Sequence, residues 1–265
     1  MEHRMKATKR RVKRRLKILF AIVGIALILL FLFFAPFFNI RSIVVTGSTR
    51  YAPEKIIEMS GLLLGENGFR KLKLQAEAIL ELRLIDSEKK IEQLPYVKAS
   101  TVSLVFPDKV AIDVTEREPA AIIRYLDSYL TVDREGYVLE STNQRPEGNL
   151  KEIRGIEFAK YTMGGQLEAS DISLIRTAVD IIEAIKNSDS STDLKLFEVL
   201  DWIDMVDRNS ALFSLDNRIV VRFNPEDKLQ YTIDFTKEIF FKKINTKESG
   251  RIEFSGDQNP SFIPD

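Results

Sequence analysis

Cysteine is absent from the 265 residues, and histidine occurs once, as His3. The first absence excludes disulfides, thiolate metal sites, iron–sulfur clusters and thiol nucleophiles. The second removes the usual general base of hydrolytic triads and the commonest metal ligand. Glycine and proline, at 12 and 9 residues, are too sparse for a collagen-like or low-complexity chain. Hydrophobic residues at 45% and charged residues at 29% are ordinary globular values, and the length suits one large or two small domains. The residue inventory points away from catalysis.

The formal net charge is zero, but the charge is unevenly spread. Nine of the 39 Lys/Arg and one of the 39 Asp/Glu fall in residues 1–17, leaving 30 bases against 38 acids downstream. A basic head on a mildly acidic body predicts an anionic partner at one end only. Residues 18–38 follow at once and carry no charged or polar side chain. A helix of that length, at about 1.5 Å per residue, matches the hydrocarbon thickness of a bilayer. The basic flank places the N-terminus in the cytoplasm and the rest outside, and Pro36 ends or kinks the helix at the outer interface. A cleaved signal peptide fits less well, because the apolar run is long and lacks a small-x-small site. A buried core helix is disfavoured by the lack of a polar face. The basic run lacks the interleaved aromatics of a nucleic-acid site, so anionic lipid is its expected partner. With no ionisable group inside it, the span reads as an anchor and not as an ion pathway.

Residues 39–116 read as a small α+β unit. Residues 40–46 form a strand ended by Gly47; a helix opens at Pro53 and stops at Gly61. The glycine-punctuated stretch 61–68 fits neither a dinucleotide nor a phosphate-loop motif and reads as a turn. Residues 74–94 are helical in pattern, with Ile79, Leu82, Ile85 and Ile91 near one face and Pro95 as the stop. A hairpin follows: residues 97–106, the turn Pro107-Asp108, then 109–116, where Val110, Ile112 and Val114 alternate with polar positions.

These residues carry a resemblance. A strand ending in V-x-G just outside a single membrane helix resembles a POTRA domain. Residues 91–121 resemble the FtsQ/DivIB bacterial cell-division family: Leu94-Pro95-Tyr96-Val97, a strand, Phe106-Pro107, a second strand, then Glu116-Arg117-Glu118-Pro119. The basic tail and lone anchor suit that family. Residues 65–94 depart from its pattern by an excess of one short helix, which leaves the helix count there open.

Beyond Pro119 there is no flexible linker. Short strands are expected at 120–125, 129–132 and 137–140, with Asp133-Arg134-Glu135-Gly136 as a turn, then a polar loop over 141–149. A helix is expected from Ser170, its cap, to Lys186, lined by Ile172, Ile175, Val179 and Ile182, with a surface loop at 187–193. Strands are expected at 197–206, 211–215 and 218–223. Asn224-Pro225-Glu226-Asp227 reads as a helix start, ahead of the stripe Leu229, Ile233, Phe240 and Ile244. A last strand at 251–254 leads into a short tail. The passages Tyr129–Val138 and Gly250-Arg251-Ile252-Glu253-Phe254-Ser255, with Phe262, also resemble the family, so the resemblance spans essentially the whole chain.

Several groups admit both a chemical and a structural reading. Asp201, Asp204 and Asp207 have helical spacing, but a strand would send them to different faces, so a solvated turn is expected in place of a metal site. Glu116 and Glu118 flank Arg117 at a strand end and read as a salt link or surface pair instead of an acid–base couple. Trp202 is alone and reads as packing. Ser87-Glu88-Lys89-Lys90, the nearest approach to a Ser–Lys nucleophile, reads as a solvated helix face.

The expected organisation is a basic tail (1–17), a transmembrane helix (18–38), a POTRA-like β-α-α-β-β domain (39–116), a mixed β-rich domain with two helices (117–256) and a C-terminal tail (257–265), α+β overall. No enzyme activity, cofactor, metal, nucleic acid or small-molecule substrate is expected. The terminal strand 251–255 is expected at a sheet edge, where unpaired amides and carbonyls accept another chain's strand. The resemblance implies that the partners are FtsL and FtsB/DivIC-like division proteins within the septal peptidoglycan-synthesis complex. Arg251, Glu253, Phe254, Ser255 and Phe262 are the expected docking residues. A POTRA-type export or chaperone module and a transmembrane sensor are the alternatives; the 17-residue tail is too short to fold as an output domain.

Overall fold

The computed structural model describes residues 2–73, 75–254 and 260–265 and divides into two compact units, Met1–Glu116 and Arg117–Asp265. Helix α1 runs Glu2–Phe34, and within it Arg15–Phe34 is long and apolar enough to cross a membrane, with a mean hydropathy of 2.9 and none of it buried. The helix stops two residues before Pro36. Ala35 is extended, as a residue before proline tends to be, and Pro36–Phe38 forms one 3₁₀ turn.

The first unit continues with β1 (Ser42–Thr46), α2 (Pro53–Ser60), α3 (Ala76–Leu80), α4 (Ile85–Ile91), β2 (Val97–Val105) and β3 (Lys109–Glu116). The sheet order is β1-β3-β2, with β1 parallel and β2 antiparallel to β3. Alternation along β3 sends Val110, Ile112 and Val114 into a core shared with Ile56, Leu84, Ile91 and Val102. Burying each such side chain contributes about 1.5–3 kcal/mol. Gly47 is left-handed, and a Cβ there would lie 2.1 Å from the Val114 carbonyl oxygen, which explains the V-x-G pattern at the end of β1.

The single helix expected over residues 74–94 is two. Between α3 and α4, Leu82 takes a left-handed conformation, and the chain runs beside β2: Leu104 N donates to Leu82 O at 3.0 Å and Leu84 N to Val102 O at 2.7 Å. A periodic apolar pattern cannot distinguish a continuous helix from two pieces when the break is stabilised by a strand far along the chain. The same region corrects the solvated reading of Ser87 and Glu88. Both are buried; Glu88 pairs with Arg83 at 2.9 Å and accepts from Val102 N at 2.9 Å.

The second unit contains β4 (Ala121–Tyr125), β5 (Ser128–Val132), β6 (Val138–Thr142), β7 (Lys151–Arg154), α5 (Ser173–Ser190), α6 (Leu196–Val199), β8 (Leu200–Asp207), β9 (Ser210–Leu215), β10 (Ile219–Phe223), α7 (Leu229–Lys242), β11 (Gly250–Glu253) and β12 (Ser261–Pro264). They build one nine-stranded sheet in the order β12-β11-β10-β9-β8-β7-β4-β5-β6. The parallel pairs β7–β8 and β10–β11 are bridged by α5 and α7, as parallel neighbours require a crossover. These helices pack on each other, and buried Lys237 of α7 donates to Ser188 O of α5 at 2.7 Å. Ile175, Ile182 and Ile185 of α5 join Phe213, Ile203, Ile233 and Ile252 in the core.

Several local expectations shift. Asp171, not Ser170, holds the start of α5, accepting from Ser173 N at 3.0 Å. That helix runs on to Ser190, shortening the expected loop, because Asp189 is buried and accepts the amides of Leu196 and Phe197. Residues 196–199 are a helical turn before β8. Helix α7 begins at Leu229, later than the Asn-Pro signal, because Asn224 Oδ1 accepts from Glu226 N in a separate turn. Strand β7 follows the expected polar loop, where no element was expected, and β12 lies in the expected tail.

Candidate functional site

Strand β11 was expected at the sheet edge, but both its sides are paired. It runs parallel to β10 (Val220 opposite Arg251, Arg222 opposite Glu253) and antiparallel to β12 (Arg251 opposite Ile263, Ile252 opposite Phe262). The edge is β12. Asp265 N donates to Ser249 O at 3.2 Å, so by antiparallel alternation Ser261 and Ile263 bond inward to β11, while the N–H and C=O of Phe262 point outward. Pro264 has no amide hydrogen to offer.

Gly250 makes the close approach of β12 possible. Its φ is +155°, and a Cβ there would lie 2.3 Å from Ile263 O and 2.9 Å from Pro264 Cα, both backbone atoms. The glycine of the Gly-x-Ile-Glu-Phe pattern is therefore a packing requirement of the edge strand.

Four of the five expected docking residues gather here. Arg251 is exposed, with its Nε 3.9 Å from Glu253 Oε1 on the same face of β11. Phe254 N donates to Arg222 O at 3.0 Å, extending the β10–β11 pairing. Phe262 is half-buried against the core. Ser255 lies outside the described residues. The structure adds Tyr231 and Phe235 of α7. Their rings are 5.6 Å apart, and Phe235 stands 6.2 Å from Phe254, giving an aromatic row whose outer end, Tyr231, is half exposed. The spacing of four between Tyr231 and Phe235 was the sequence signal for this row. Exposed Ile263 was missed with its strand.

Most of the groups considered for chemistry have structural partners. Asp201 accepts from Ser214 Oγ at 2.9 Å and Asn217 N at 2.6 Å. Asp207 accepts from Asn209 N at 2.7 Å. The Trp202 ring lies under the Arg154 guanidinium, 4.6 Å away. Glu116 binds the loop after β1, accepting from Thr49 N at 2.8 Å, Arg50 N at 2.7 Å and Ser48 Oγ at 3.1 Å. Burial pushes its carboxyl up, but the bonds from Thr49, Arg50 and Ser48 outweigh that and hold it below the ordinary value. Hydrogen bonds from Arg208 and Ser173 lower Asp171 to about 2. In each case the carboxylate serves a loop or a helix end.

Comparison with known proteins agrees with this architecture. Residues 38–117 match the POTRA domain, FtsQ-type. The chain is 27% identical over 197 residues to a cell division protein FtsQ of Corynebacterium glutamicum, covering 72% of this chain and 78% of that one. It is 25% identical over 259 residues to a cell division protein DivIB of Clostridium botulinum, covering 98% and 94%. It is 26% identical over 227 residues to the DivIB of Clostridium acetobutylicum, covering 86% and 83%. The chain, with its apolar N-terminal helix and its mixed sheet, carries an FtsQ-type POTRA domain and is similar over most of its length to the FtsQ and DivIB cell division proteins.

Proposed function

We propose that this protein is a membrane-anchored scaffold and regulator that links companion division proteins to the septal peptidoglycan-synthesis machinery. The N-terminus lies in the cytoplasm and both folded units lie outside, as the basic residues 1–17 support. Confinement by one helix raises the local concentration of the units for other membrane-bound partners. FtsB/DivIC- and FtsL-like proteins dock at the end of the second unit, on a surface that includes Arg251, Glu253, Phe254, Ser255 and Phe262. The observation that carries this reading is the outward Phe262 N–H and C=O on edge strand β12, beside the aromatic row of Tyr231, Phe235 and Phe254. A partner strand adds to that edge through main-chain hydrogen bonds, and the ring row supplies side-chain contact.

The test is capture of each companion protein by the full chain in membranes, with and without residues 260–265. Loss of capture with an unchanged first unit is the expected result; undiminished capture would sink the docking assignment. Localisation is checked separately by a fluorescent fusion at the N-terminus, which should form a mid-cell band as constriction begins.

A further inference from the structure

The first unit holds a basic cleft beside the end of the membrane helix. The cleft has a volume of about 560 Å³, and its charged lining comprises Arg70, Lys71, Lys73 and Lys90 against one carboxylate, Asp86. Arg70 also touches α1: its Nε donates to Phe33 O at 3.0 Å, and its guanidinium lies 5.1 Å from the Phe34 ring centre. The 20 residues Arg15–Phe34 extend about 30 Å as a helix, the thickness of the hydrocarbon layer. A span that fills that layer leaves the Phe34 end at its boundary, so the Arg70 guanidinium stands at the level of the lipid headgroups.

A second, independent feature points the same way. Leu63 and Leu64 are 67% and 65% exposed, adjacent, and in the loop that leads from Gly61, at the cleft, to Asn67. That loop is tied to the membrane exit: Ile40 N donates to Glu66 O at 2.9 Å, Gly65 N to Ile40 O at 2.8 Å, and Asn67 Nδ2 to Leu32 O at 3.0 Å. Two exposed leucines beside a cationic cleft, held at headgroup height, have the composition of an interfacial membrane contact. Two of the four cations are paired, Lys71 with Glu66 at 3.2 Å and Lys73 with Asp86 at 2.6 Å, so the bases outnumber the carboxylates by two. A hydrogen bond from Lys73, opposed by desolvation and reinforced by the charges of Lys73, Lys89 and Lys90, holds the Asp86 carboxyl below its ordinary value.

We propose that this cleft receives the phosphate of an anionic phospholipid from the leaflet at the Phe34 end of the span, with Leu63 and Leu64 inserted beside it. The contact gives the first unit a defined seat on the bilayer. It rests on the membrane anchor proposed above. A soluble phosphate has the same chemistry, but the cleft's contact with the last turn of α1 favours a headgroup.

Because the chain has no cysteine, Leu64→Cys gives a unique site for an environment-sensitive NBD label. The labelled full chain is placed in nanodiscs of phosphatidylcholine, with or without phosphatidylglycerol, and shallow nitroxide-labelled lipid is the quencher. Strong quenching and blue-shifted emission are expected in the phosphatidylglycerol discs. Lys71→Gln with Lys90→Gln should weaken that response about tenfold or more, since each lysine near an anionic surface matters severalfold. Lys55→Gln with Lys98→Gln, a charge-matched control away from the cleft, should leave it intact. Quenching equal in both lipids and indifferent to Lys71 and Lys90 would overturn the headgroup site, as would no quenching at all. Displacement by free glycerol phosphate would assign the cleft to a soluble ligand and overturn the lipid. Failure to enter the discs would remove the anchor and the proposal together, whereas incorporation without quenching removes the proposal alone.

Discussion

Arg117 Nη1 donates to Asp133 Oδ2 at 2.7 Å, with both side chains more than nine-tenths buried. The guanidinium carbon also lies 3.4 Å from the Tyr137 ring centre, and Asp133 Oδ1 accepts the amides of Glu135 and Tyr137. The Arg of the Glu-Arg-x-Pro passage and the Asp of the following turn are thus two halves of one buried contact. Removing one partner of such a pair leaves an uncompensated charge. Arg117→Ala should therefore destabilise the second unit by about 3 kcal/mol, and Arg117→Lys, which keeps the charge but loses the planar fork, by less. The single Trp202 lies in that unit, so its fluorescence during urea unfolding reads the change directly.

Asn67 caps the apolar N-terminal helix from more than thirty residues away. Its Nδ2 donates to Leu32 O at 3.0 Å and Ala35 O at 3.3 Å, while its Oδ1 accepts from Phe69 N at 3.0 Å. Asn67→Ala leaves the buried Phe69 amide and the part-buried Leu32 and Ala35 carbonyls without this partner, at about 1–2 kcal/mol. Faster hydrogen exchange at Phe69 in the full chain is the expected sign. Unchanged exchange would show that the cap carries no weight.

Gly250→Ala should free β12 while leaving the core in place. The added methyl meets the backbone of Ile263 and Pro264, which cannot rotate away, whereas Ile252 and Phe213 are untouched. Exchange protection should fall at Phe262 and Ile263, and partner capture should drop with it. Capture that persists after β12 loses protection would separate the partner site from the edge.

The loop holding Glu116 should loosen in acid. The folded carboxyl lies below its unfolded value of 4.5, so its contribution is complete above about pH 4.5 and is lost as the pH falls through the folded value. Amide protection at Thr49 and Arg50, corrected for intrinsic exchange, should decline across that window. Glu116→Gln should lower protection at neutral pH and flatten the decline.

Legibility differed sharply between elements. Strand β3 shows its period-two pattern in its own eight residues, and α2 has Pro53 at its first turn. Strand β7 reads Lys-Glu-Ile-Arg, too short and too polar to signal an interior position. Glu152 is buried there only because Arg154, at 2.8 Å, pairs with it and β4 and β8 flank the strand. Strand β12 has four residues ending in proline and exists through β11. Arg251, Glu253 and Phe254, the proposed docking residues, are visible as a motif, but the sheet edge lies one strand further on, at β12.

The sequence alone determined the membrane-length helix, the alternation of the longer strands, the absence of thiol and imidazole chemistry outside the tail, and the resemblance to FtsQ and DivIB proteins. These follow from composition and from interactions between near neighbours along the chain. Tertiary structure decided where helix 74–94 breaks, what caps α1, which strand forms the sheet edge, and that four cations meet beside the membrane exit. Each of these depends on hydrogen bonds or charges joining residues tens of positions apart, and local periodicity carries no record of such pairings.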